Sequence, residues 1–244
     1  SVALFQKNMV NDALADIERL LSLEPSSIDG WTNKAFMLLQ QNRVREADEI
    51  FSRLNNIAPN HPAALRLGIE LAWKNLNLDA AREYCELGIN LFPKDPRFAF
   101  NLAISEMYAG RKNSAFDRVK SLISVGTREL GVRPFLLGAS ILAQNDQVAD
   151  CERWLHAALT QNPECEITNF ALGNHHRRLR NYETALNHYR KSGSQIHSTG
   201  FELEALYMLG RRDEYLMRHH EIIELGVSTV ISGTVAAHAT IEYD

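Results

Sequence analysis

Pro25, Pro59 and Pro93 stand 34 residues apart, and Pro163 follows after two more such intervals plus two residues. Each proline closes the same kind of stretch: DALADIERLLSLEP (12–25), EADEIFSRLNNIAP (46–59), DAAREYCELGINLFP (79–93) and ADCERWLHAALTQNP (149–163). Twelve places before each proline stands a small residue, Ala13, Ala47, Ala81 or Cys151. Four places later comes Ile17, Phe51, Cys85 or Leu155, and three beyond that Leu20, Leu54, Gly88 or Ala158. Steps of four and three keep side chains on one face of an α-helix, and the proline ends it. Ahead of these helices, or between them, lie six further stretches with helical apolar spacing: WTNKAFMLLQQNR, LRLGIELAWKNLN, FNLAISEMYAGRK, FLLGASILAQNDQ, NFALGNHHRRLRN and FELEALYMLGRRD, each followed by a polar turn. A helix pair of this size cannot bury its apolar face alone, so a period of this kind requires consecutive pairs to stack.

These residues resemble the tetratricopeptide repeat, a helix–turn–helix unit. Trp31, Ala35, Leu38, Ala47, Phe51 and Pro59 fit one copy, and Leu172, Gly173, Ala185 and Tyr189 fit another. The resemblance implies an all-α chain, a right-handed α-α superhelix of about six to seven repeats whose first helices line a concave face. The register gives a partial repeat at 1–27, tandem repeats at 28–61, 62–95, 96–131, 132–165, 166–195 and 196–228, and a terminal or truncated helix at 229–244 around Ala236 and Ala237. Small residues such as Ala35, Gly68, Gly138 and Gly173 let paired helices approach closely, while Phe51, Leu155 and Tyr189 fill the space beside them. Two repeats depart from the pattern. Glu106 stands where a large apolar residue is usual and no proline closes its repeat, and Tyr215 takes a small residue's place.

The segment ALGNHHRRLRNYETALNHYRK (171–191) concentrates histidine and arginine, but the repeat accounts for it: a first helix over Asn169–Arg178, a turn at Leu179–Tyr182 and a second helix from Glu183. His176 falls at a packing position and His188 just before the packing ring of Tyr189. A metal site needs ligands converging at about 2 Å from one ion, whereas adjacent His175 and His176 diverge by about 100° on a helix. His219, His220 and Glu221 lie in a helical run with no evident third ligand. The expectation is no metal and no cofactor. Arg177, Arg178, Arg180, Arg190, Lys191, Arg211, Arg212 and Arg218 form a basic stripe interspersed with Glu183, Glu202, Glu204, Asp213 and Glu214, which reads as a solvated face; RNA binding is the runner-up.

With 26 Lys and Arg against 30 Asp and Glu, the 244-residue chain has no global field to gather nucleic acid. No window holds the roughly 18 uninterrupted apolar residues of a membrane span, and Lys7 and Asn8 break any secretory core at the start. Cys85, Cys151 and Cys165 are odd in number and lack C-x-x-C spacing, which predicts structural cysteines in a reducing, cytoplasmic setting. No nucleophile elbow or phosphate-binding loop is present, so no enzymatic activity is expected of this chain.

Carrying the family's concave positions onto this sequence nominates Asn33, Phe36, Gln40, Arg66, Glu70, Trp73, Lys74, Arg97, Asn101, Ile104, Tyr108, Arg133, Ser140, Gln144, Asn174, Arg177 and Arg178. The resemblance thus implies a protein-interaction scaffold that holds a peptide or protein segment in its groove. The Lys and Asn set by which some relatives grip a C-terminal carboxylate is not matched as a set: Thr32 and Phe36, Arg66 and Glu70, or Phe100 and Ile104 stand in its place, and Phe170 and Asn174 match it in one place only. The array reads as interrupted at both ends, which gives an alternative, the docking segment of a longer enzyme such as a glycosyltransferase, a sulfotransferase or a 2-oxoglutarate/iron dioxygenase. The register makes a direct prediction. Ala47→Leu overpacks a helix pair and costs about 1–3 kcal/mol, whereas Glu49→Ala on the outer face costs less than about 0.5 kcal/mol; equal melting temperatures for the two variants would contradict the phase.

Overall fold

The computed structural model describes residues 2–126, 128–193 and 196–224. Among the described residues all regular structure is helical, thirteen α-helices with one 3-10 turn at Arg128–Leu130 and no strand. A long α1 (Val2–Leu23) is followed by α2 (Ile28–Gln40), α3 (Val44–Ile57), α4 (Pro62–Lys74), α5 (Leu78–Leu91), α6 (Pro96–Tyr108) and α7 (Lys112–Val125). Then come α8 (Arg133–Gln144), α9 (Val148–Gln161), α10 (Glu166–Arg178), α11 (Tyr182–Lys191), α12 (Ile196–Met208) and α13 (Arg212–Glu224). Helices pack in sequential pairs, α2 on α3, α4 on α5, α6 on α7, α10 on α11 and α12 on α13. Within α8 the chain divides into two compact units, Lys7–Ile141 and a second that runs on from Leu142. The segment 229–244, with Ala236 and Ala237, lies outside the described residues.

One backbone feature sets the turn inside every pair. Asn42, Leu76, Gly110, Asp146, Arg180 and Gly210 all adopt left-handed conformations, with φ between 57° and 76°. The residue after each donates its N–H back five positions, to the carbonyls of Leu38, Ala72, Glu106, Leu142, His176 and Leu206, at 2.8–3.0 Å. This bond satisfies a helix-terminal carbonyl that would otherwise lack a partner. Leu76 and Arg180 accept a conformation costing a side-chain-bearing residue roughly 1–2 kcal/mol because the cap offsets it.

The intervals between those six residues are 34, 34, 36, 34 and 30. The long interval contains the end of repeat 96–131, which no proline closes. There α7 runs to Gly126, left-handed at φ 72°, and the Arg128–Leu130 turn replaces the proline turn. The short interval contains α11, with 10 residues against 14 in α3, α5, α7 and α9. The helix of the histidine-rich segment begins at Glu166, three residues before the predicted start, because extended Cys165 serves as its N-cap and Glu166 complements the helix dipole. Its partner begins at Tyr182, one residue early, with Asn181 accepting from the Thr184 amide at 3.4 Å.

In the first unit Ala35, Leu38, Ala47, Ile50, Leu54 and Leu67 form one buried cluster, and Leu65, Ile69, Cys85, Phe98 and Leu102 the next. In the second, Leu186, Leu203, Leu206, Tyr215 and Ile222 pack together, so the tyrosine at a small residue's place is absorbed into the core. Glu106 is only 6% exposed, and it is half of an ion pair. Arg118 Nε and Nη2 donate to its two oxygens at 3.1 and 3.0 Å, and Ser114 Oγ donates at 2.9 Å. Burial pushes its carboxyl up, and these hydrogen bonds outweigh that push, holding it below the usual glutamate range. Its contribution is therefore present above the unfolded value of 4.5 and lost as the pH falls through the carboxylate range. Arg118→Leu strands a buried carboxylate and is expected to cost about 3 kcal/mol at neutral pH, while E106L/R118L stays within about 1 kcal/mol of wild type. Denaturant titrations check both, and the single variant's deficit shrinks at acid pH, where Glu106 is protonated.

Candidate partner-binding face

In the unit Lys7–Ile141 the first helix of each pair presents an exposed residue at an equivalent place: Gln40 on α2, Lys74 on α4 and Tyr108 on α6, spaced by 34 residues. Asn33, Arg97, Arg133 and Ser140 are also exposed, whereas Phe36, Arg66, Glu70, Trp73, Asn101 and Ile104 are half-buried. The nominated aromatics divide sharply. Phe36 packs against the first core cluster and Trp73 against the second. The Trp73 indole N–H donates to buried Ser105 Oγ at 2.9 Å, and that hydroxyl donates to the Asn101 carbonyl at 3.0 Å. Trp73 thus joins one repeat to the next, while Tyr108 is 64% exposed.

The two arginines nearest this surface share one carboxylate that sequence reasoning did not nominate. Asp95 caps α6 by accepting from the Arg97 amide at 3.0 Å, and receives the Arg97 guanidinium at 2.7 Å on each oxygen. Arg66 Nη1 lies 3.7 Å from the same carboxylate. Burial raises the Asp95 carboxyl, and the Arg97 hydrogen bonds more than offset this, leaving it below the usual range. Burial and the Arg97 charge together lower Arg66. Burial also raises Glu70 against the pull of Lys74. The readable signal for Asp95 was the Asp-Pro step that starts a helix. Arg133 lies over the Phe100 ring at 5.4 Å and donates to the Leu130 carbonyl at 3.3 Å.

No protein-family model matches the sequence, and no curated protein matches it. Solved structures do. A chain of the APC/C hetero-tetramer Cut9–Hcn1 superposes with a TM-score of 0.67 at 15% identity, covering 95% of this chain and 47% of that one. This chain therefore spans about half the length of that neighbour. PilW, a type IV pilus biogenesis factor, gives 0.68 at 14% identity over 84% of this chain and 96% of its own, and Pseudomonas aeruginosa PilF gives 0.62 at 14% over 86% and 96%. Cut9, PilF and PilW are tetratricopeptide-repeat (TPR) proteins. This chain has the TPR fold.

In the TPR unit that begins at Leu142, Gln144 and Arg178 are exposed, and Asn174 Oδ1 accepts from the Tyr189 hydroxyl at 2.9 Å. Arg177 donates to Glu204 at 3.1 Å and stacks over Phe201 at 4.6 Å. Much of the arginine-rich stripe is ion-paired: Arg190 with Glu202 and Glu214, Arg211 with Glu183 and Glu214, and Arg218 with Glu202 and Glu221. Among the described residues no group of three or more His, Cys, Asp or Glu side chains is placed to hold a metal ion, and no helix is long and apolar enough to cross a membrane. Burial pushes the Cys85 thiol up to about 12 against a hydrogen bond with Ser105, and burial raises Cys151 as well, so both stay protonated and unreactive at neutral pH.

The division between Trp73 and Tyr108 gives a stability test. Trp73→Ala opens a cavity beside Ser105 and is expected to cost about 3 kcal/mol. Tyr108→Ala is expected to cost less than about 0.5 kcal/mol; urea titrations of the two variants check the assignment.

Proposed function

We propose that the chain is a non-enzymatic scaffold whose first helices hold an extended peptide or protein segment. The supporting observation is the row Gln40, Lys74 and Tyr108, one exposed side chain from each of three successive first helices, with a largely exposed tyrosine as its third member. A tyrosine offers large contact area at low conformational-entropy cost, and the neighbouring amide and cationic groups supply hydrogen bonds to an extended backbone or its acidic side chains. The face is completed by Asn33, Arg66, Glu70, Arg97 and Asn101 in the same unit; within the second unit, taken by itself, Asn174, Arg177 and Arg178 stand at the equivalent first-helix places. Phe36 and Trp73 support it from beneath.

Nucleic acid is the weaker partner. The neighbour human IFIT1, a dimer with PPP-AAAA, matches with a TM-score of 0.61 at 11% identity over 92% of this chain and 57% of its own. Half of the basic stripe that would contact phosphates, Arg177, Arg190, Arg211 and Arg218, is instead matched by carboxylates of this chain. The docking-segment reading adds an enzyme elsewhere and leaves this face the same role. For the test, peptides are selected from a display library against the whole chain, and a photo-crosslinking amino acid is placed at Tyr108 or at Glu49. Crosslinking from position 108 and a Kd weakened about tenfold by Tyr108→Ala, at unchanged helicity, is the expected result. Ligands that crosslink only from position 49 and ignore Tyr108→Ala would remove this face from the reading.

A further inference from the structure

Three histidines from two successive helices converge on one carboxylate, and a fourth, from the next helix, stacks on one of them. Glu152 and His156 stand one turn apart on α9, His175 and His176 lie on α10, and His188 lies on α11. His176 Nε2 and His156 Nε2 are 3.6 and 3.8 Å from Glu152 Oε1, and His175 Nε2 is 3.9 Å from Oε2. The His176 ring stacks on His188 with centroids 5.6 Å apart and planes within 7°, while His175 meets His176 edge-on at 5.3 Å. The side chains of His175 and His176 are only 8% and 9% exposed. One tautomer is fixed by the neighbours. Asn169 Nδ2 donates to the Cys165 carbonyl at 3.2 Å, which turns Oδ1 toward His188 Nδ1 at 3.1 Å. His188 Nδ1 therefore carries the hydrogen, and Nε2 is where a second proton would add.

We propose that this cluster is an acid-operated release of the junction between α9 and the α10–α11 pair: neutral rings hold the three helices together, and protonated rings drive them apart. The charge balance carries the proposal. The groups facing the cluster are Glu152 and His156 from α9, His175, His176 and Arg178 from α10, and His188 and Lys191 from α11. One imidazolium finds its counter-charge in Glu152. A second and third find only other cations, in stacked rings sheltered from water, where like charges repel strongly.

The protonation energetics agree. Burial, then His176 and Lys191, pushes His188 down to about 4, and burial leads the downward shifts of His175 and His176. An imidazole held below its unfolded value of 6.5 takes up its proton on unfolding. Its contribution is therefore complete above that value and is lost as the pH falls from 6.5 toward about 4. Between about pH 7.5 and about pH 5, His188 alone lowers the closed-to-open ratio on the order of 30-fold. In an array whose repeats contact only neighbours, such a loss is expressed as local opening. The proposal is independent of what the first helices bind.

Peptide-resolved hydrogen exchange on the whole chain, corrected for intrinsic rates and compared at about pH 7.5 and about pH 5, tests it. Wild type is expected to lose about tenfold or more of its protection in α9–α11 while α2–α5 keep theirs, and H176L/H188Q is expected to hold its α9–α11 protection. An even loss along the chain, or the same loss in the double variant, overturns the proposal. If that variant fails to fold by circular dichroism, wild-type imidazole Cε1–H titration decides alone. Midpoints for His176 and His188 below about 5.5 support the release, and midpoints at or above about 6.5 overturn it.

Discussion

Everything in this chain rests on how closely short helices close on one another. Helices of 13 or 14 residues are marginal alone, so their stability comes from the faces they bury. A side-chain carbon added at Gly173 would lie 2.5 Å from the Tyr189 ring, and one at Gly88 would lie 2.2 Å from Phe98. These contacts leave no room for a methyl group, so a small residue on one helix and a ring on the next fix their spacing together. Ala47, Ala81, Ala115 and Ala185 are fully buried at equivalent places for the same reason. The left-handed turn residue and the hydrogen bond beside it then hold each pair at that spacing.

The same carbonyls that close those turns belong to Leu38, Ala72, Glu106, Leu142, His176 and Leu206, six residues at one structural position, all buried. Four are apolar and interchangeable in kind. Glu106 and His176 are not, and each brings a polar neighbourhood with it. Glu106 is matched charge for charge by Arg118, with Ser114 satisfying a further lone pair. His176 is matched only while its neighbours stay neutral, because one carboxylate serves three imidazoles and a fourth stacks on His176. A buried polar group is stable when its partner's charge changes with it and precarious when several titrate together.

The period made the pairs legible, since a small residue, a ring and a proline at fixed offsets state a packing requirement that few other folds share. The missing closing proline of repeat 96–131 was legible only as an anomaly, because Gly126 terminates a helix as well as proline does, and one glycine among 13 does not announce a turn. Trp73 and Tyr108 looked alike from sequence, as large aromatics near the ends of first helices. Their places in the repeat differ by one residue, about 100° around a helix, which turns Trp73 toward Ser105 of the next repeat and leaves Tyr108 in water. Asp95 was hidden in its ordinary role as a cap. The histidine cluster was half visible: the adjacent pair could be read, but Glu152 and His156 come from the preceding helix and His188 from the following one, and only packing brings them together.

Glu106 and His176 titrate in opposite senses yet lose stability in the same direction. A carboxylate bound to arginine loses its charge under acid, and a sheltered imidazole gains one it does not want. The windows differ, however: the histidines begin to matter below 6.5, whereas Glu106 holds until the carboxylate range. The two lie 70 residues apart, one in each compact unit, and each titrates among the partners of its own unit. Mild acid therefore loads the histidine junction of one unit before it reaches the buried carboxylate of the other.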